Sequence, residues 1–136
     1  MFTTPCIIRK NTPELRQKLE KLGYTNCIIE DEKYLFTSHG IFDCISSCTA
    51  YEDMVRNGLV DCGDNELLFL ALAAMRDDTD KDQLFTNGID WAIKREAARN
   101  LGLPGFEYLS FPRDVNTPLH KATEEEIMNY FQTPTL

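Results

Sequence analysis

Basic side chains are in short supply in this chain, with 14 Lys and Arg against 22 Asp and Glu and a net charge of −8. That shortage argues against general affinity for nucleic-acid backbones, which rewards clustered Lys and Arg. The acidic excess is also too sparse over 136 residues to imitate the charge density of a duplex. No apolar run approaches the roughly 20 residues of a membrane span. The longest, Leu67 to Met75, reads as a core helix. The opening Met1-Phe2-Thr3-Thr4-Pro5 has no basic stretch followed by an apolar run, so no secretory leader is expected and the cytoplasm is the expected compartment. Glycine is scattered, at Gly58, Gly63, Gly88, Gly102 and Gly105 among others, and forms neither a P-loop nor a dinucleotide-binding turn. Histidine is limited to His39 and His120, and no cysteine-hydrolase signature surrounds either.

What is present reads as one folded domain over residues 1–136. The chain is 43% hydrophobic and 26% charged, an ordinary balance for a globular protein. Thr4 to Lys10 reads as a strand that runs into a helix capped by Thr12, opened by Pro13 and closed by Gly23, with Leu15, Leu19 and Leu22 on one stripe. Strands are expected at Tyr24–Glu30, centred on Cys27-Ile28-Ile29, and at Lys33–Ser38, joined by a turn at Asp31-Glu32. His39 to Cys48 is ambiguous. Thr49 and Glu52 suggest a capping box for a short helix ending at Asn57-Gly58, and Leu59–Gly63 is a connector or edge strand.

Asp64 is the expected cap of a largely buried helix from Asn65 to about Asp77. A strand at Gln83–Thr86, a turn at Asn87-Gly88 and a helix over Trp91–Leu101 closed by Gly102 follow. A strand at Phe106–Phe111 and a loop from Pro112 to Leu119 come next. The last helix opens on a capping box of Thr123 and Glu126, turns Ile127, Tyr130 and Phe131 inward, and stops before Pro134. A strand–helix–strand–hairpin first half followed by more helices predicts an α+β domain, with an antiparallel or mixed sheet packed by four to five helices.

The candidate chemistry is thin. Five cysteines, Cys6, Cys27, Cys44, Cys48 and Cys62, are an odd set expected to stay reduced. His39, Cys44, Cys48 and the later Cys62 are of the residue types that bind zinc, but only one short Cys pair exists, so buried core thiols are the competing reading and no metal or other cofactor is expected. With Asp43 the same stretch is also where an enzyme site would lie, and Cys48, just before the Thr49 cap, is the thiol best placed for activation. Asp78, Asp80 and Asp82 alternate as in a calcium loop, but Gln83 and Ile89 occupy the positions that loop needs for Gly and Glu. Residues 1–23 carry a surplus of three positive charges, which leaves −11 for the rest. Arg9 and Lys10 at the end of the first strand, next to a helix N-terminus, are the expected anion contacts, with Trp91 as a stacking surface or a core residue.

Three segments together carry a resemblance: Thr4-Pro5-Cys6-Ile7-Ile8-Arg9; Asp61 to Leu67 with Ala71 to Met75; and His120 to Ile127. They resemble short uncharacterised proteins of phages and mobile elements of gut anaerobes. The resemblance implies an accessory protein, and it transfers no catalytic residue. The expectation is therefore a non-enzymatic binding protein acting on a host protein or an anionic small molecule, with a homodimer as the default assembly. The other reading is a small enzyme or zinc protein using His39, Cys44 and Cys48.

Overall fold

The computed structural model describes residues 1–26, 33–95 and 105–131. Its elements are β1 (Cys6–Ile8), α1 (Pro13–Leu22), β2 (Thr25–Asn26), β3 (Tyr34–Ser38), β4 (Ile41–Ile45), α2 (Cys48–Arg56), β5 (Val60–Asp61), α3 (Glu66–Ala73), β6 (Leu84–Thr86), β7 (Trp91–Lys94), β8 (Phe106–Tyr108), β9 (His120–Lys121) and α4 (Glu124–Phe131). Two sheets form, in the orders β2-β4-β3-β1-β5 and β8-β7-β6-β9. The first is mixed and the second antiparallel. One hydrophobic core joins them: Cys6, Ile8, Leu15, Leu19 and Phe69 belong to the same buried cluster as Trp91 and Ile127. The α+β class read from the sequence is the observed one.

The first strand and helix form as their residues dictate. All three residues of β1 are fully buried, because α3 and α2 both pack on it. The Thr12 hydroxyl accepts from the Leu15 N–H at 3.1 Å, and Gly23 ends α1 at φ 114°, where a side chain would be strained. Leu15 and Leu19 are fully buried. Tyr24 then stacks on Phe2 at 4.0 Å and donates its hydroxyl to the Ala73 carbonyl at 2.7 Å. The strand centre at Cys27–Ile29 and the turn at Asp31-Glu32 lie outside the described residues.

The ambiguous stretch resolves into a hairpin. His39 and Gly40 both have positive φ, 51° and 83°, the pair of conformations a two-residue hairpin turn requires. β4 therefore returns against β3. Because β4 runs to Ile45, the next helix starts earlier than a Thr49 cap allows. Ser47 is the cap, accepting from Ala50 N–H at 3.4 Å, and Cys48 is the first helical residue.

The long central helix is shorter than expected and its cap is Asn65, not Asp64. The Asn65 side chain accepts from Leu68 N–H at 3.0 Å and donates to the Phe131 carbonyl at 2.8 Å, a second bond that a carboxylate has no proton to make. At the other end Thr3 donates to the Met75 carbonyl at 3.0 Å and Arg76 bridges to Phe2, so the N-terminal segment captures residues that would have continued the helix. Leu67, expected inside, is 70% exposed.

The helix expected over Trp91–Leu101 begins instead as β7; residues 96–104 lie outside the described ones. The Asn87-Gly88 turn returns the chain against β6, and pairing with β8 on the other side completes its ladder. Tertiary pairing at both edges overrides a helical spacing read at Trp91, Ala98 and Leu101 or at Ile93, Ala97 and Leu101. β8 stops at Tyr108, so Phe111 is not in a strand. His120 and Lys121, adjoining the expected loop, form β9. The final capping box is present: Glu126 N–H donates to Thr123 Oγ1 at 3.2 Å and Thr123 N–H donates to Glu126 Oε1 at 2.9 Å. Among the described residues no helix is long and apolar enough to cross a membrane.

Candidate functional site

Each basic residue singled out in the first segment has an intramolecular partner. Lys10 Nζ lies 2.8 Å from Glu66, and that hydrogen bond first, against the effect of burial, holds the Glu66 carboxyl below its ordinary range. The Arg9 guanidinium lies over the Tyr51 ring, 4.8 Å from its centroid. Tyr51 donates its hydroxyl to Asp61, and burial first, then that bond, pushes its pKa up, so it remains a neutral donor at physiological pH. Trp91 sits in the other sheet, 6% exposed, stacked on Tyr130 at 4.3 Å and edge-on to Phe131 at 6.2 Å. The structure thus does not bring it to Arg9 and Lys10.

The zinc-type residues are also dispersed. His39 is in the β3–β4 turn, Cys44 is buried in β4, Cys48 is exposed at the start of α2, and Cys62 is buried beside Cys6. Among the described residues no three His, Cys, Asp or Glu side chains gather as a metal-binding group. A hydrogen bond with Cys6, followed by burial, raises the Cys62 pKa far out of the reactive range. We expect iodoacetamide labelling, mapped by mass spectrometry, to modify Cys48 in the folded protein and to leave Cys6 and Cys62 untouched until denaturant is added.

The feature that stands out lies at one end of the second sheet. Leu109 N–H donates to the Trp91 carbonyl at 2.8 Å, carrying the β7–β8 ladder one residue past β8. The chain then leaves as a loop that the β6–β7 turn holds in place. Asp90, 2% exposed, accepts from the Arg113 N–H at 2.8 Å through Oδ1 and from the Asp114 N–H at 2.7 Å through Oδ2. Asn87 donates to the carbonyls of Asp114 and Thr117, at 2.8 and 3.2 Å, and accepts from the Ile89 and Asp90 N–H groups. Asp114 closes its own turn by accepting from the Thr117 hydroxyl at 2.7 Å.

The electrostatics follow from these donors. Burial alone would raise the Asp90 pKa, but the N–H groups of Asp114 and Arg113, with Asn87 and the Arg113 charge, outweigh it and hold the carboxyl below its ordinary value. The Thr117 hydroxyl, foremost, lowers that of Asp114. Both brace carboxylates therefore stay ionised at neutral pH.

On this braced frame sit apolar side chains in water. Phe111 is 86% exposed and Val115 69%, with Leu109 and Ile89 nearly half exposed. Arg113, itself exposed, ties its Nη2 to the Ile89 carbonyl at 3.2 Å. The braced loop thus holds an exposed aromatic on a backbone that is already tied down. It is suited to binding, since ordering costs are already met and burying Phe111 alone is worth roughly 2–3 kcal/mol.

Reading Phe106–Phe111 as a strand hid this site. The signal for it was the Phe111-Pro112 step followed by Asp114, Asn116 and Thr117, residue types that build side-chain-closed turns. No protein-family model matches this chain, and no curated protein and no solved structure matches it either.

Proposed function

We propose that this α+β domain is a non-enzymatic docking protein that binds a protein partner through the Leu109–Val115 loop and Ile89. The observation that carries this reading is Phe111, 86% exposed on a loop whose backbone is tied down by two ionised carboxylates. Soluble domains seldom hold a large aromatic rigidly in water without a pocket to receive it, and aromatic anchors flanked by Arg are typical of interface hot spots. The likeness to mobile-element proteins makes a host protein the proposed partner and the cytoplasm the proposed place of encounter.

The test uses the Phe111→Ser variant, which removes the anchor without touching the brace. Partners captured by the unaltered protein are identified, purified and titrated against both forms by calorimetry. The expected result is a loss of at least tenfold in affinity for Phe111→Ser, with an unchanged thermal midpoint. Equal affinity of the two forms would overturn the reading. Sedimentation velocity on the same pair separates self-association: a dimer abolished by Phe111→Ser would make the loop a homodimer interface instead.

A further inference from the structure

A second feature, separate from the docking loop, is a cleft of about 360 Å³ between the end of α1, the end of α3 and the 76–83 stretch. Three cations line it, Lys21, Arg76 and Lys81, against one carboxylate, Asp82. In a chain of net charge −8 such a concentration of positive charge is against the trend.

Each carboxylate of this stretch has a cationic partner. Asp77 pairs with the N-terminal amine at 3.3 Å, Asp78 takes the Arg76 guanidinium through two bonds of 2.9 Å, Asp80 pairs with Lys121 at 3.4 Å, and Asp82 with Arg95 at 3.4 Å. Among the described residues Lys21 and Lys81 make no ion pair. Two uncompensated ammonium groups therefore share one opening with a guanidinium that keeps unused donors.

The walls are fixed before any ligand arrives. Gln83, buried, accepts from Arg76 N–H at 2.8 Å and donates to the Ala74 carbonyl at 2.9 Å. Lys121 Nζ donates to the carbonyls of Arg76 and Thr79, both at 2.7 Å. Arg76 also lies over the Phe2 ring, 5.0 Å from its centroid. Asp82 holds φ 59°, a conformation unusual for a side-chain-bearing residue, locked by its N–H to the Lys94 carbonyl at 2.9 Å.

We propose that this cleft binds a small polyphosphorylated molecule, its phosphate oxygens met by Lys21, Lys81 and Arg76. The volume admits a ligand of the size of a sugar bisphosphate or a mononucleotide. Two ammonium groups and a guanidinium match two adjoining phosphates better than a single carboxylate.

Inorganic pyrophosphate is the probe, titrated by calorimetry at low ionic strength and followed by amide chemical-shift mapping. The expected result is saturable one-to-one binding, with shifts concentrated on residues 76–83 and the last turn of α1. Lys21→Ala/Lys81→Ala should weaken it by about tenfold or more, whereas Lys33→Ala/Arg56→Ala, which removes the same charge elsewhere, should change it less than about twofold. No saturable binding, shifts centred elsewhere, or an equal loss in both double variants would overturn the assignment.

Discussion

Trp91→Ala should cost about 3–5 kcal/mol of folding free energy, a large share of what a domain of this size has to spare. Trp91 is buried at the start of β7 and makes the aromatic stack that receives Tyr130 and Phe131 of α4. Truncation leaves a cavity at the junction of the second sheet and α4, and Asn65, which caps α3 and bonds Phe131, loses the support of a docked partner. Urea denaturation followed by far-ultraviolet circular dichroism measures the loss, since the variant has no tryptophan to report it. Binding of pyrophosphate by the fraction still folded should be unaffected. A fully stable Trp91→Ala protein that had lost affinity for a ligand would show instead that the indole serves as a stacking surface.

The second large effect concerns Asp90. Asp90→Ala removes the acceptor for two backbone N–H groups and leaves the Leu109–Val115 loop tethered by Asn87 and the Arg113 side chain. The loop should become the preferred site of limited proteolysis, and the thermal midpoint should fall by several degrees. Partner affinity should drop even though Phe111 is unchanged, because the ordering of the loop must then be paid at binding. Asp90→Asn keeps the shape and one acceptor oxygen, and should show an intermediate defect. The pH dependence has a definite sign. A carboxyl whose folded pKa lies below its unfolded value of about 3.9 contributes stability that is complete above that value and is lost as pH falls through the folded one. Wild-type loop protection should therefore hold from neutrality down to about pH 4 and fail below it, while Asp90→Ala should keep only the smaller acid step contributed by Asp114, whose carboxyl is also held low. Hydrogen exchange of the Arg113 and Asp114 amides reads both.

Local signals in the chain were legible wherever the forces are local. Thr12, Pro13 and Gly23 bound α1 by capping and by backbone preference, and Thr123 with Glu126 opens α4, so both helices appear where their residues place them. The Asn87-Gly88 turn is likewise where its dipeptide puts it. Where a long-range partner competes, the local reading gave way. Trp91–Lys94 has neighbours on both sides in a sheet and becomes a strand, and α3 ends at Ala73 because Thr3 and Phe2 pair with Met75 and Arg76. Asn65 caps in place of Asp64 because an amide also reaches Phe131, 66 residues away.

The two candidate sites divide along the same line. Sequence alone determined an α+β domain and an acidic chain with a basic first segment, since these depend on composition, periodicity and near neighbours. It pointed to Arg9, Lys10 and Trp91 for a ligand, side chains that folding gives to Tyr51, Glu66 and Tyr130. Only the tertiary structure decided which cations stay unpaired and which apolar side chains stay in water. Charge neutralisation joins Asp80 to Lys121 and Asp82 to Arg95, and that pairing leaves Lys21 and Lys81 at an open cleft. A buried carboxylate 21 residues before Phe111 fixes the loop that exposes it. Burial of Asp90 under the loop and the pairing of Asp80 with Lys121 are decided between segments about 20 to 40 residues apart, beyond the reach of local sequence patterns.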